Sequence, residues 1–192
     1  MSIVNSRLLA PAVLLSSLLS GCAATNPNIL KAYDASTSSR IRIFVYSADR
    51  IRLDFDRTCY TDPGMFGHGE GLETAQRSHH QGSRSVGMPP TSKRSEAVFD
   101  EYIIKAGLPV TVFGKVGGTY NSSWTGVSSY RRETKDAGHF VPVAGKDYEI
   151  YVQDRKLIVE DVSAGTASGA TKLLDLTPAS ACTPERSPQS QG

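Results

Sequence analysis

The sequence predicts an all-β domain, an antiparallel β-sandwich of the immunoglobulin-like or transthyretin-like type. Three observations carry that prediction. Short apolar runs alternate with polar residues at a period of two, turn residues separate the runs at close spacing, and no convincing amphipathic helical pattern lies between them. About seven or eight such strands fall between residues 40 and 182, the span of one domain of ordinary size.

The domain begins at Arg40. Ile41, Ile43 and Val45 alternate with Arg42, Phe44 and Tyr46; after Ala48-Asp49, Ile51, Leu53 and Phe55 alternate with Arg52, Asp54 and Asp56. Two alternating runs joined by a short polar turn predict a β-hairpin, with Arg42, Arg52, Asp54 and Asp56 on its solvated outer face. Residues 61–95 are rich in glycine, serine and proline and predict a long, mobile, solvated loop. His68, His79 and His80 lie inside it. No carboxylate or cysteine stands at fixed spacing to complete a metal site there, and the glycines make preorganisation costly, so no metal is expected.

Tyr102-Ile103-Ile104-Lys105-Ala106-Gly107-Leu108-Pro109-Val110-Thr111-Val112 is echoed by Phe140-Val141-Pro142-Val143-Ala144-Gly145-Lys146-Asp147-Tyr148-Glu149-Ile150. Each predicts an apolar strand, an Ala-Gly turn and a second strand, the arrangement by which sandwiches turn a corner. Further strands are predicted from Val110, Tyr148, Leu157 and Leu173, with turns at Gly117-Gly118, Asp154-Arg155 and Ala164-Gly165. Residues 183–192 are polar and proline-bearing and predict a disordered tail.

Ahead of the domain, Leu8 to Leu19 is an apolar run behind a lone Arg7. It has the length of a signal-peptide core and falls well short of the roughly 20 residues that span a bilayer as a helix. It ends in Leu19-Ser20-Gly21-Cys22, which resembles the lipobox of bacterial lipoproteins. An ordinary secretory peptide cut near Ala23 is the competing reading. The resemblance implies a signal peptide over 1–21 that is removed, and acyl chains of the palmitate type on Cys22 that anchor the protein to a membrane without spanning it. Ala23 stands where lipoproteins retained at the inner membrane usually carry Asp, so the resemblance implies the periplasmic face of the outer membrane. Residues 22–39, small and polar, predict a flexible tether.

With Cys22 assigned to lipid, Cys59 and Cys182 form an even pair in an oxidising compartment, and a disulfide is expected. Metal binding or thiol chemistry is the alternative, although neither cysteine has a CxxC partner. The chain carries 21 Lys and Arg against 19 Asp and Glu, a formal charge of +2, which gives no reason to expect nucleic acid.

Catalytic patterns are sparse. The small-residue stretch Ser163–Gly169 lacks the G-x-S-x-G spacing, and His139 has only Glu133 or Asp136 nearby in sequence. One segment reads as a contact surface. Residues 118–132 are rich in Tyr, Ser, Gly and Asn and hold the single tryptophan, the mixture found in antibody paratopes. Tyr120, Trp124 and Tyr130 would supply contact area, and Arg131 and Arg132 a cationic edge suited to carboxylates or phosphates. The alternative is that these aromatics face the core of a strand pair.

Taken together, the lipobox, the Arg40-Ile41-Arg42-Ile43-Phe44 first strand, a cysteine soon after the second strand and the Phe140–Ile150 element resemble small single-domain lipoproteins of Gram-negative bacteria. That likeness implies location and fold and carries over no catalytic residue. The expectation is a non-enzymatic binding or structural module of the envelope, with no cofactor and no small-molecule substrate. Its partners would be a membrane, through the lipid, and an envelope protein, met by the aromatic segment or a sheet edge. The alternatives are a metal-dependent envelope enzyme using the loop histidines, and an envelope inhibitor or chaperone.

Overall fold

The computed structural model describes residues 26–44, 48, 50–61, 71–74, 84–90, 98–121, 128–164 and 171–183. The signal segment, Cys22, His68, His79, His80, Trp124 and the tail beyond Thr183 lie outside the described residues.

The described residues form eleven strands: β1 (Ile29–Leu30), β2 (Ser38–Phe44), β3 (Arg50–Phe55), β4 (Leu72–Thr74), β5 (Phe99–Lys105), β6 (Val110–Asn121), β7 (Ser128–Phe140), β8 (Asp147–Gln153), β9 (Lys156–Asp161), β10 (Lys172–Leu173) and β11 (Thr177–Pro178). They make two sheets, ordered β1-β5-β2-β8-β9-β10 and β11-β7-β6-β3-β4. The domain is all-β, as predicted, and no helix occurs among the described residues. One inner face contributes Ile41, Ile43, Ile104, Tyr148, Ile150 and Val159, the other Ile51, Leu53, Val110, Val112 and Phe140, and together they pack one core. Every pair in the second sheet is antiparallel, whereas β2 and β8 pair in parallel, so the first sheet is mixed.

The Ala-Gly turns do turn corners. Gly107 and Gly145 both take positive φ (82° and 78°), a conformation that glycine adopts without Cβ strain. The first leads β5 across to β6 in the opposite sheet, and the second leads β7 back to β8. Both corners lie at one pole of the domain, tied by Gly107 N–H to Pro142 O at 2.8 Å.

The predicted hairpin is corrected: β2 and β3 belong to different sheets, and β2 pairs with β5 and β8 instead. Period-two alternation shows that a strand has two unlike faces but does not name its neighbour. The solvated outer face is corrected with it, because Arg42, Arg52 and Asp54 are buried, and only Asp56 is exposed. Arg42, 2 % exposed, donates from Nε to Glu101 Oε1 at 2.9 Å and from Nη1 to Glu149 Oε1 at 2.7 Å. Its Nη2 donates to Pro89 O at 2.7 Å. The other Glu101 oxygen accepts from the amides of Val86 and Met88 and from the Ser85 hydroxyl. Burial alone would raise the Glu101 carboxyl, but these amides, Arg42 and Ser85 outweigh it and hold it below the ordinary carboxylate range.

Residues 84–90 therefore form a strap across the outer face of the first sheet, and Leu72–Thr74 forms β4 against β3. These parts of the stretch 61–95 are built into the domain, not solvated as expected. On the second sheet, Tyr60 stacks on Phe113 at 4.8 Å, and Cys59 is bonded to Cys182 across 123 residues. Tyr60 N–H donates to Ser180 O, and Cys182 N–H returns the bond to Tyr60 O. The disulfide thus holds a thin layer over Arg52, Asp54 and Phe113, with Thr61 N–H on Asp54 Oδ2 at 2.9 Å.

The tether expected over 22–39 is shorter than its composition suggests. Ile29 and Leu30 pair with Ile104 and Ile103, and Asp34 accepts from the amide and hydroxyl of Ser36 and the hydroxyl of Thr37. The chain thus joins the sheet at Asn28, whose carbonyl accepts from Lys105 N–H at 3.1 Å, at the same pole as the Ala-Gly corners.

Candidate functional site

The first sheet and β3 end near the pole opposite the corners, but β6 and β7 continue past it. The last β3 pair is Arg50 with Lys115; beyond it Val116–Asn121 pairs only with β7 among the described residues. The two strands so form a projecting ribbon. Tyr120 stands opposite Ser129, Tyr130 opposite Thr119, and Arg131 opposite Gly118. The described parts of the predicted contact segment, 118–121 and 128–132, are therefore strand-forming backbone at the far end of the molecule, and 122–127 lie outside the described residues. The ladder is interrupted within it: Val116 pairs with Thr134 and Gly118 with Arg131, so Arg132 and Glu133 together oppose Gly117. Two residues against one is a β-bulge, a device that bends a strand and re-aims the side chain it carries.

Arg132 is exposed and lines a cleft of about 290 Å³ with Val116, Gly117 and Arg155. Arg155 comes from the two-residue turn between β8 and β9, where Asp154 and Arg155 both take positive φ (51° and 65°). Primed hairpin turns need that conformation at both central positions and favour Asn-Gly there; an arginine in it is strained. A cross-sheet bond seats the turn beside the ribbon, Leu157 N–H donating to Asp136 Oδ2 at 2.8 Å. Among the described residues neither Arg132 nor Arg155 has a hydrogen-bond or ion-pair partner.

Glu133, next in the bulge, is engaged elsewhere. It bonds Lys115 Nζ at 2.9 Å and meets Lys135 Nζ at 3.4 Å, and those lysines, Lys115 first, hold its carboxyl below the ordinary range. Two arginines without an acidic partner among the described residues thus line one opening, an arrangement that accepts a carboxylate or phosphate group.

The two carboxylates near His139 in sequence are engaged elsewhere. Asp136 is three residues away along a strand and so faces inward to Leu157, while Glu133 is six residues away and pairs with lysines. Among the described residues no three His, Cys, Asp or Glu side chains gather as a metal site. A second cavity, about 320 Å³, lies at the entry pole; its lining mixes Asp54 and Asp56 with Arg57, so it presents no single charge to a ligand. The sheet edges β1, β4, β10 and β11 are only two or three residues long, a length that limits strand addition.

Of the predicted contact residues, the structure places Arg132 in the cleft and puts Tyr120, Tyr130 and Arg131 on the ribbon backbone, while Trp124 lies outside the described residues; the expected disulfide joins Cys59 to Cys182. The partner that sequence reasoning missed is Arg155. Asp154-Arg155 stood out only as a turn, although an arginine where glycine is favoured was itself a signal. Compared with family models, curated proteins and solved structures, the chain matches none.

Proposed function

We propose that the protein is a lipid-anchored, non-enzymatic binding module of the cell envelope, held through Cys22 at the periplasmic face of the outer membrane. It takes an acidic group of an envelope protein in the cleft between Arg132 and Arg155. One observation carries this reading: two arginines without an acidic partner among the described residues, set by a bulge and a strained turn, line a cleft at the pole opposite the chain's entry. The disulfide supports an oxidising compartment. The corner-turning Ala-Gly elements support kinship with the immunoglobulin-like or transthyretin-like sandwiches.

Two experiments test the reading. Cys22→Ser is expected to release the protein from the membrane fraction into the soluble one; unchanged fractionation refutes the anchor. The double variant Arg132→Glu/Arg155→Glu is expected to lose the partners that co-purify with the wild-type protein, and each substitution alone to weaken binding of a short acidic peptide about tenfold or more. Both side chains are exposed, so thermal stability should stay within about 0.5 kcal/mol of wild type. Equal affinity in the double variant would dismiss the cleft as the site.

A further inference from the structure

Five large apolar side chains are exposed among the described residues, and three of them share one pole. Leu108, 37 % exposed, sits in the corner between β5 and β6; Val141 and Val143, 51 % and 57 % exposed, sit in the corner between β7 and β8. The bond from Gly107 to Pro142 joins the two corners. Backbone bonds fix the second one: Val143 N–H donates to the Tyr148 hydroxyl at 3.0 Å, Lys146 N–H to Val143 O at 3.2 Å, and Gly145 N–H to Ser38 O at 2.9 Å. The valines are thus held outward by a braced loop while Pro142 between them is buried.

This is also the pole where the chain enters. Asn26 O accepts from Ile29 N–H, and Asn28 bonds Lys105 at the end of β5. Asn26 lies only four positions after Cys22, a reach of about 14 Å at full extension. The opposite end of the first sheet is a seven-residue strand away, about 23 Å. A sulfur embedded in a bilayer on so short a lead keeps the entry pole, and not the cleft, toward the lipid.

We propose that Leu108, Val141 and Val143 rest in the interface of the bilayer that holds the anchor, so that the domain stands on the membrane with its Arg132–Arg155 cleft facing away. Lys31, Arg57 and Lys105 are exposed at or near this pole beside Asp34 and Asp56, so charges of both signs surround the apolar side chains. This placement rests on the lipid-anchor reading above.

The test uses the full, processed chain reconstituted in vesicles of phosphatidylethanolamine and phosphatidylglycerol, with ordinary or brominated acyl chains. In a Trp124→Phe background, which removes the single native tryptophan, Val143→Trp reports on the entry pole and Lys156→Trp on the far pole. Brominated lipid is expected to quench Val143→Trp emission by about half or more and to leave Lys156→Trp nearly unchanged, as for a side chain seated in the interface. Mass spectrometry of the N-terminal peptide from the same sample reads the anchor separately. Acylated Cys22 with no quenching at Val143→Trp overturns the docking and leaves the anchor standing. An unmodified Cys22 overturns the anchor and the docking with it. Shielding of Val143→Trp from iodide without lipid quenching places a protein there instead, and also overturns the proposal.

Discussion

Arg42→Ala is expected to destabilise the domain by about 3–5 kcal/mol, because it strands two carboxylates in a space that one guanidinium neutralises. Glu101 is fully buried and Glu149 nearly so, and both bond Arg42 directly. The same change removes the donor to Pro89 O, so the strap over 84–90 loosens too. For a domain of this size the melting temperature should fall by about 10 °C, read by circular dichroism or calorimetry at neutral pH. A drop under about 1 kcal/mol would mean that the network is solvated and misdescribed.

The pH dependence has a definite sign. Glu101 is depressed in the folded state, so its contribution is fully present above the ordinary glutamate range and fades as pH falls through its lower folded value. Wild-type protein should lose stability on acidification through that window. Glu101→Gln should be less stable at neutral pH and show a flatter acid limb.

Removing the cross-link is expected to cost at least as much. Cys59 and Cys182 close a loop with a sequence separation of 123, for which the chain-entropy model gives about 5 kcal/mol. Cys59→Ser/Cys182→Ser, or reductant, should lower the denaturation midpoint accordingly. The loss should also loosen the layer in which Tyr60 covers Phe113, so amide exchange should rise at Tyr60 and Cys182, whose N–H groups bond across that layer. A midpoint indifferent to reductant, or two free thiols in native protein, would contradict the link.

Much of the fold was legible because it is local. Alternation marked β2, β3, β5, β6, β8 and β9, and Ala-Gly at 106–107 and 144–145 marked the crossings between sheets. What was not legible is what covers the outer faces. Arg42 looks like any solvated arginine, since Glu101 and Glu149 lie 59 and 107 residues away and the strap arrives from a glycine-rich stretch. Acidic residues in the middle of otherwise apolar strands were the available hint. The cleft divided the same way: Arg132 lay in a segment of paratope-like composition, whereas Arg155 reaches it through a turn whose position depends on Asp136 and Leu157 across the core.

The side-by-side run of β2 and β8 has a bearing on how the chain is made. β2 sits inside its sheet, yet one flank stays empty until Asp147 to Ile150 arrive, more than 100 positions later. A polypeptide threaded N-terminus first through a narrow passage therefore has no finished core to jam the opening: assembly waits for the trailing end, and pairings this distant close slowly.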